Sequence, residues 1–184
     1  NWGGVAVTPD GIAFVNSHDT SLVGWVQDKD PNVTYSFEAV GSRQPYDRAS
    51  INGVGPFFSF NAPIGGQFDE NGRPVGPSAP CQRPPWAKLV AVNANSGEVL
   101  WESPLGLNLN LPEGKQLTGN SGSAGPSVTA GGLVFVGATN DRLFRAFDAR
   151  TGAELWSAAL ANNANANPMS YLGASGKQHV AIVA

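Results

Sequence analysis

Ala91 to Trp101 and Ala146 to Trp156 share one pattern, A-x-D/N-x-x-T/S-G-x-x-x-W, at a displacement of 55 positions. A pattern that recurs at fixed spacing constrains a fold more than composition does, because each copy must be one supersecondary unit that buries its apolar face against the next. In the later copy Asp148 can accept hydrogen bonds from amides further round the turn, Thr151 adds a hydroxyl, and Gly152 takes the positive φ of a tight hairpin. The earlier copy has Asn93 for Asp148 and Ser96 for Thr151, which keeps the turn chemistry. Ala146 and Trp156 pair a small residue with a large aromatic, leaving room at one level for a neighbouring ring to press in.

Upstream of the later copy, Leu133 to Val136 is a compact apolar run entered by Gly131-Gly132, and Leu143 to Phe147 is another. With Leu155-Trp156 opening a third, the segment reads as three short strands. Val7 to Val15 matches Val128 to Val136 at a displacement of 121. The two displacements differ by 66, so the first copy carries an insertion of about that length between its second and third strands. A third copy begins at Pro168 to Tyr171, followed after a Gly/Ser turn by His179 to Val183.

Gly 23, Pro 14 and only 14% charged residues indicate many short strands joined by tight turns, and no long stretch has helical periodicity. The fold class expected is all-β. A net charge of -3 without any Lys/Arg cluster argues against nucleic acid or an anionic membrane surface as partner. No apolar run is long enough to cross a bilayer. Cys81 is the only cysteine, so no intrachain disulfide forms; it reads as a buried or loop thiol. His18 and His179 lack metal-ligand spacing, and Asp69-Glu70-Asn71-Gly72 reads as a solvated turn. Residues 102 to 126 read as a linker, and the Asn/Ala tract from Asn162 to Asn167 as a loop between units. Two copies and a fraction fall short of the three or more that a stack normally needs, so a piece of something longer is expected.

The repeated pattern resembles the tryptophan-docking motif of pyrroloquinoline quinone (PQQ) dehydrogenases, eight-bladed β-propellers of four-stranded sheets in which the Trp wedges against the next blade. Thr129 to Phe135 with Arg145 to Asp148, and Asn167 to Tyr171 with Gly176 to Gln178, are similar to that family's late blades. Pro80-Cys81-Gln82-Arg83-Pro84-Pro85-Trp86 resembles a stretch of the branch that oxidises glucose, quinate and related polyols. The resemblance implies a partial β-propeller with about two blades and the start of a third, in a single domain over residues 1–184. Its first blade would take residues 1–27 and 87–103, with an inserted loop over 28–86. The second would take 124–160, and the next would start at 166–184.

The same resemblance implies a periplasmic, C-terminal fragment of a PQQ- and calcium-dependent enzyme, possessing part of the site and nearly inactive alone. Such an enzyme oxidises a sugar or polyol hydroxyl and passes electrons to a respiratory quinone or cytochrome. Asn1 and Trp2 look like the pair that reaches the quinone, Trp86 offers a flat surface, and Asp141 falls where the glucose branch has an aspartate near the cofactor. Those four are the cofactor-binding candidates. No match to the family's general base, lysine or Ca²⁺ ligands occurs here, so no catalytic residue or metal ligand is assigned; the remaining blades would supply them. The competing reading is a non-catalytic envelope propeller that holds partner proteins. Without either role, a bare β-repeat fragment would expose sheet edges and self-associate.

Overall fold

The computed structural model describes residues 3–24, 27–28, 46–47, 57–73 and 75–184. Among them every regular element is a strand, and every pairing is antiparallel. The chain divides into two compact units, one of Asn1–Asp19 with Arg83–Ala184 and the other of Thr20–Gln82.

In the first unit, Val5–Val7, Ile12–His18, Ala87–Asn93 and Val99–Pro104 form a four-stranded sheet in that order. Ser127–Val128, Leu133–Val136, Leu143–Asp148 and Glu154–Ala159 form a second, and Met169–Leu172 pairs with Gln178–Ala181 in a hairpin. This is the partial-propeller arrangement of two blades and the start of another. Both sheets are four-stranded, as the resemblance implies; the second has one strand more than its three apolar runs suggest, because Ser127–Val128 is only two residues long and shows no periodicity of its own.

The repeat is realised bond by bond. Asp148 Oδ1 accepts from the amides of Arg150 and Thr151, both at 2.9 Å, while in the first sheet Asn93 Oδ1 accepts from the Asn95 amide at 3.0 Å. Gly152 and Gly97 follow with φ of 71° and 77°. At the preceding turns Thr129 Oγ1 accepts from the Leu133 amide at 3.2 Å and Thr8 Oγ1 from the Ile12 amide at 3.0 Å. Cross-strand register then aligns Phe14, Ala91 and Trp101 in one row, and Phe135, Ala146 and Trp156 in its counterpart. Directly opposed residues share a face, so each row carries two aromatic rings with a small Ala between them.

The core lies between the two sheets, with Phe14, Leu89, Ala91 and Leu105 from the first side meeting Val134, Val136, Ala138 and Phe147 from the second. Burying each large apolar side chain contributes roughly 1.5–3 kcal/mol, so this shared core is what joins the sheets. Trp101 adds a directional contact: its Nε1–H donates to the Ala149 carbonyl at 3.0 Å, and its ring lies on Gly152. The backbones also approach closely where the connection into the second sheet passes Gly3. A Cβ at Gly125 would fall 1.8 Å from the Gly3 carbonyl oxygen, leaving no space for any other residue.

In the second unit the described strands form three two-stranded pairs: Leu22–Gly24 with Phe57–Ser59, Gln27–Asp28 with Tyr46–Asp47, and Asn61–Pro63 with Ser78–Pro80. Here the sequence expectation needs correction. The apolar stretch from Leu22, grouped with the first blade, pairs with the insertion instead, and the sheet takes its third strand from Ala87–Asn93. An apolar run marks a strand but does not name its partner. Cys81 is exposed, and Asp69 Oδ1 caps a turn by accepting from the amides of Asn71 at 2.9 Å and Arg73 at 2.7 Å.

Candidate functional site

Strand direction decides which residues can meet. In the first sheet Ile12 faces Asn93 at one end, while His18 faces Ala87 and Pro104 faces Lys88 at the other. In the second sheet Leu133 faces Asp148 at one end, and Leu143 faces Ala159 at the other. The Asp/Asn turns therefore occupy one end of both sheets. The opposite end gathers His18, Trp86, the 105–126 connection, the 137–142 turn and the start of the 160–168 connection.

Two of the sequence candidates meet this end at equivalent places. Trp86 and Asp141 stand 55 positions apart, each just before the third strand of its sheet. The hydrogen bonds beside them repeat as well: Leu105 N–H donates to the Ala87 carbonyl at 2.9 Å, and Leu160 N–H to that of Arg142 at 2.8 Å. Asn1 and Trp2, the other two candidates, lie outside the described residues.

Asp141 is buried, and its carboxylate is fully engaged. Oδ1 accepts from the Thr139 hydroxyl at 2.5 Å, the Leu143 amide at 3.1 Å and Arg145 Nη1 at 3.2 Å. Oδ2 accepts from Arg145 Nη2 and from the Leu107 amide, the latter at 2.7 Å. Burial pushes the Asp141 carboxyl upward, but the hydrogen bonds from Arg145 and Thr139, with the Arg145 charge and the Leu107 amide, outweigh it and hold the group below the ordinary carboxylate value. Arg145 is itself 2% exposed and places Nε 3.2 Å from Glu154 Oε2. The backbone around Asp141 is unusual, since Ala138 and Arg142 both adopt positive φ, 54° and 60°. Non-glycine residues there are held by their surroundings. Ala138 N–H donates to the Ala164 carbonyl at 2.9 Å.

Trp86 is 8% exposed. Its amide donates to the Thr118 carbonyl at 2.6 Å, and its carbonyl accepts from the Asp19 amide at 2.9 Å. His18, read as an ordinary strand or loop histidine, ends its strand with Nε2 accepting from the Gly122 amide at 3.4 Å; burial lowers its pKa and favours the neutral ring. The 102–126 segment is more than a linker, because Leu105 and Ala124 are core residues. In the Asn/Ala tract, Asn167 Oδ1 accepts from the Gly125 amide at 2.6 Å and Asn163 Nδ2 donates to Asn140 Oδ1 at 3.2 Å.

Sequence reasoning missed Arg145 and Thr139. A signal for the first existed: Arg145 is a cation inside an apolar strand, at the repeat position where the first sheet has Val90. A charge there requires a buried partner, and of the two carboxylates that Arg145 meets, Asp141 is the buried one.

A flat tricarboxylated quinone needs a ring surface, donors for its carboxylates and a cation beside its carbonyl. The described side chains do not make that pocket. Asp141 offers no open lone pair, Trp86 is nearly covered, and no cluster of three His, Cys, Asp or Glu able to hold a metal occurs among the described residues. What they make is a tightly bonded frame at one end of the two sheets.

A family profile described as "PQQ: Glucose/ethanol/alcohol dehydrogenase, beta-propeller domain" matches residues 1–180. Quinoprotein glucose dehydrogenase A of Acinetobacter calcoaceticus is 34% identical over the whole of this chain, which covers 22% of that protein. Quinate/shikimate dehydrogenase (quinone) of Acinetobacter baylyi is 32% identical, again over the whole chain and 23% of its own length. The glycerol dehydrogenase large subunit of Gluconobacter thailandicus is 42% identical over 56% of this chain and 15% of that protein. Among solved structures, a europium-containing methanol dehydrogenase superposes with a TM-score of 0.56 at 24% identity, over 98% of this chain and 24% of that one, a likeness of fold. The chain thus spans less than a quarter of the length of these relatives.

Proposed function

Because the chain belongs to the family of PQQ-dependent glucose, ethanol and alcohol dehydrogenase β-propellers, we propose that it is the C-terminal part of an enzyme that oxidises a sugar or polyol hydroxyl. The reaction is a two-electron oxidation, with PQQ and Ca²⁺ as cofactors and a respiratory quinone or cytochrome as electron acceptor. The enzyme works in the periplasm. The missing blades supply the general base and the metal ligands.

The observation that carries this reading is the extent of the match, which runs through both sheets and the whole connection between Ile12–His18 and Ala87–Asn93. Relatives named for glucose and quinate align over the whole chain, which favours a polyhydroxylated substrate. Within the chain, Asn1, Trp2, Trp86 and Asp141 are the residues assigned to serving the cofactor, and the two indoles of the repeat, Trp101 and Trp156, dock each blade on the next.

Reconstituting the complete enzyme with PQQ and Ca²⁺, and then with a lanthanide in place of Ca²⁺, tests the reading. A dye-linked assay across glucose, quinate, glycerol and simple alcohols is expected to show cofactor-dependent turnover, strongest on a polyol. Failure to bind PQQ with either metal would sink it.

A further inference from the structure

Asp141 was singled out as a residue near the cofactor, yet five donors converge on its two oxygens. An ionised carboxylate has about four lone-pair directions, so none is left for an outside molecule. Four of the five donors, from Thr139, Leu143 and the two terminal nitrogens of Arg145, come from its own turn and strand. The Leu107 amide is different, because it belongs to the connection that leaves the first sheet. That connection is anchored at several further points. Leu107 carbonyl accepts from Asn120 Nδ2 at 2.8 Å, Asn120 N–H donates to the Leu105 carbonyl at 2.8 Å, and Gly119 N–H to that of Gly106 at 3.0 Å. Gly106, at φ 99°, passes so close to Thr139 that a Cβ there would come within 2.9 Å of the threonine methyl. At its far end the Thr118 carbonyl takes the Trp86 amide.

We propose that Asp141 is a positioning residue: with Arg145 and Thr139 it clamps the 105–120 connection through the Leu107 amide, and so fixes Trp86 at the equivalent place on the neighbouring sheet. The two positions act as a pair gripping one strap. Arg145 holds the carboxylate in place from behind, Glu154 holds Arg145, and the positive-φ residues Ala138 and Arg142 shape the turn that presents Asp141 to the strap. Asp141 serves the site without touching cofactor or substrate. This rests on the functional reading above only for its second readout.

The test uses the complete chain with Asp141→Asn, Leu107→Pro and the double variant. Leu107→Pro removes the donating N–H and leaves the carboxylate intact. Gly106→Ala, which crowds Thr139 and Asn120 but keeps both the Asp141 carboxylate and the Leu107 N–H, disturbs the same strap by a second route and guards against misfolding of the proline variant. Val134→Ala, in the shared core, controls for general loss of stability. The first readout needs no cofactor: amide hydrogen exchange at Trp86, Leu105 and Gly119 is expected to speed up about ten-fold or more in each clamp variant, with strand amides at Leu133 to Val136 unchanged. The second is the PQQ dissociation constant, expected to rise about ten-fold in each, with the double variant no worse than either, because residues acting through one contact are not additive. Exchange at Trp86 that stays at wild-type rates in Asp141→Asn would overturn the proposal. So would a PQQ affinity lost in Asp141→Asn but kept in both Leu107→Pro and Gly106→Ala, which would place the carboxylate on the cofactor. If wild-type protein bound no PQQ, the functional reading would fail while the exchange data still decided the clamp.

Discussion

Trp101 and Trp156 occupy one repeat position, opposite Ala91 and Ala146, yet their surroundings differ. Trp101 is half-buried, donates to the Ala149 carbonyl, lies on Gly152 and sits 5.8 Å from Phe14. Trp156 is 49% exposed and packs edge-on against Phe144 at 6.0 Å. It borders an apolar depression of about 280 Å³ lined by Leu133, Phe135, Ala146, Leu155 and itself. The same positions in the first sheet are Ile12, Phe14, Ala91, Leu100 and Trp101, and there the second sheet covers Phe14 and Ala91 almost completely. The local scaffold is thus a property of each repeat, whereas burial of the indole is a property of the pair. A single unit specifies its turn and its row of side chains but not what lies on them.

That contrast can be broken by substitution. Trp101→Ala is expected to cost about 3 kcal/mol, since it deletes a large ring from the sheet-to-sheet contact and leaves the Ala149 carbonyl without its donor. Chemical denaturation of this chain measures it. Next comes a matched pair of glycines. A Cβ at Gly152 would lie 2.5 Å from the Trp101 ring, whereas one at Gly97 meets nothing within 4 Å. Both have positive φ, so each alanine is disfavoured by about 1 kcal/mol, and Gly152→Ala should cost a further 1–2 kcal/mol for displacing the indole. Equal losses at the two sites would mean that the ring does not rest on Gly152. Trp156→Ala should cost less than about 1 kcal/mol in this chain, because the half-exposed ring forfeits little burial. In the complete enzyme the same substitution is expected to approach the cost at Trp101.

The smallest effect separates the two turns by pH. Amide hydrogen bonds from Thr151 and Arg150 lower the Asp148 pKa below its ordinary 3.8, while the equivalent Asn93 does not titrate. With the folded value depressed, the unfolded chain binds more protons over the window between the two values, so stability rises with pH there. The contribution is complete above the ordinary value and is lost as pH falls through the folded one. Asp148→Asn should flatten the acid limb of a melting-temperature profile, and Asn93→Asp should steepen it. Profiles that all overlay would remove the charge from the account of this turn.

Much of the fold was legible because its signals are local. Asp148, Thr151 and Gly152 bond within a few residues of one another, and a copy of the same bonds at Asn93 was readable from spacing alone. The misassigned strand from Leu22 shows the limit, since its partner Phe57–Ser59 is fixed by pairing across the insertion. The site was less legible for the same reason. Asp141 could be singled out by resemblance, but its bond to the Leu107 amide spans 34 positions and leaves no mark in the residue types involved. The glycines at 3 and 125 carry a requirement for space that only the meeting of two distant backbones reveals.

Exchange of the indole N–H protons tests the central claim most directly, because each Trp reports whether a neighbouring sheet has closed over it. The account predicts slow exchange at Trp101 and fast exchange at Trp156 in this chain, with both slow in the complete enzyme. Equal exchange at the two indoles in this chain, or a Trp156 that stays fast in the complete enzyme, would contradict the stacking of one repeat on the next.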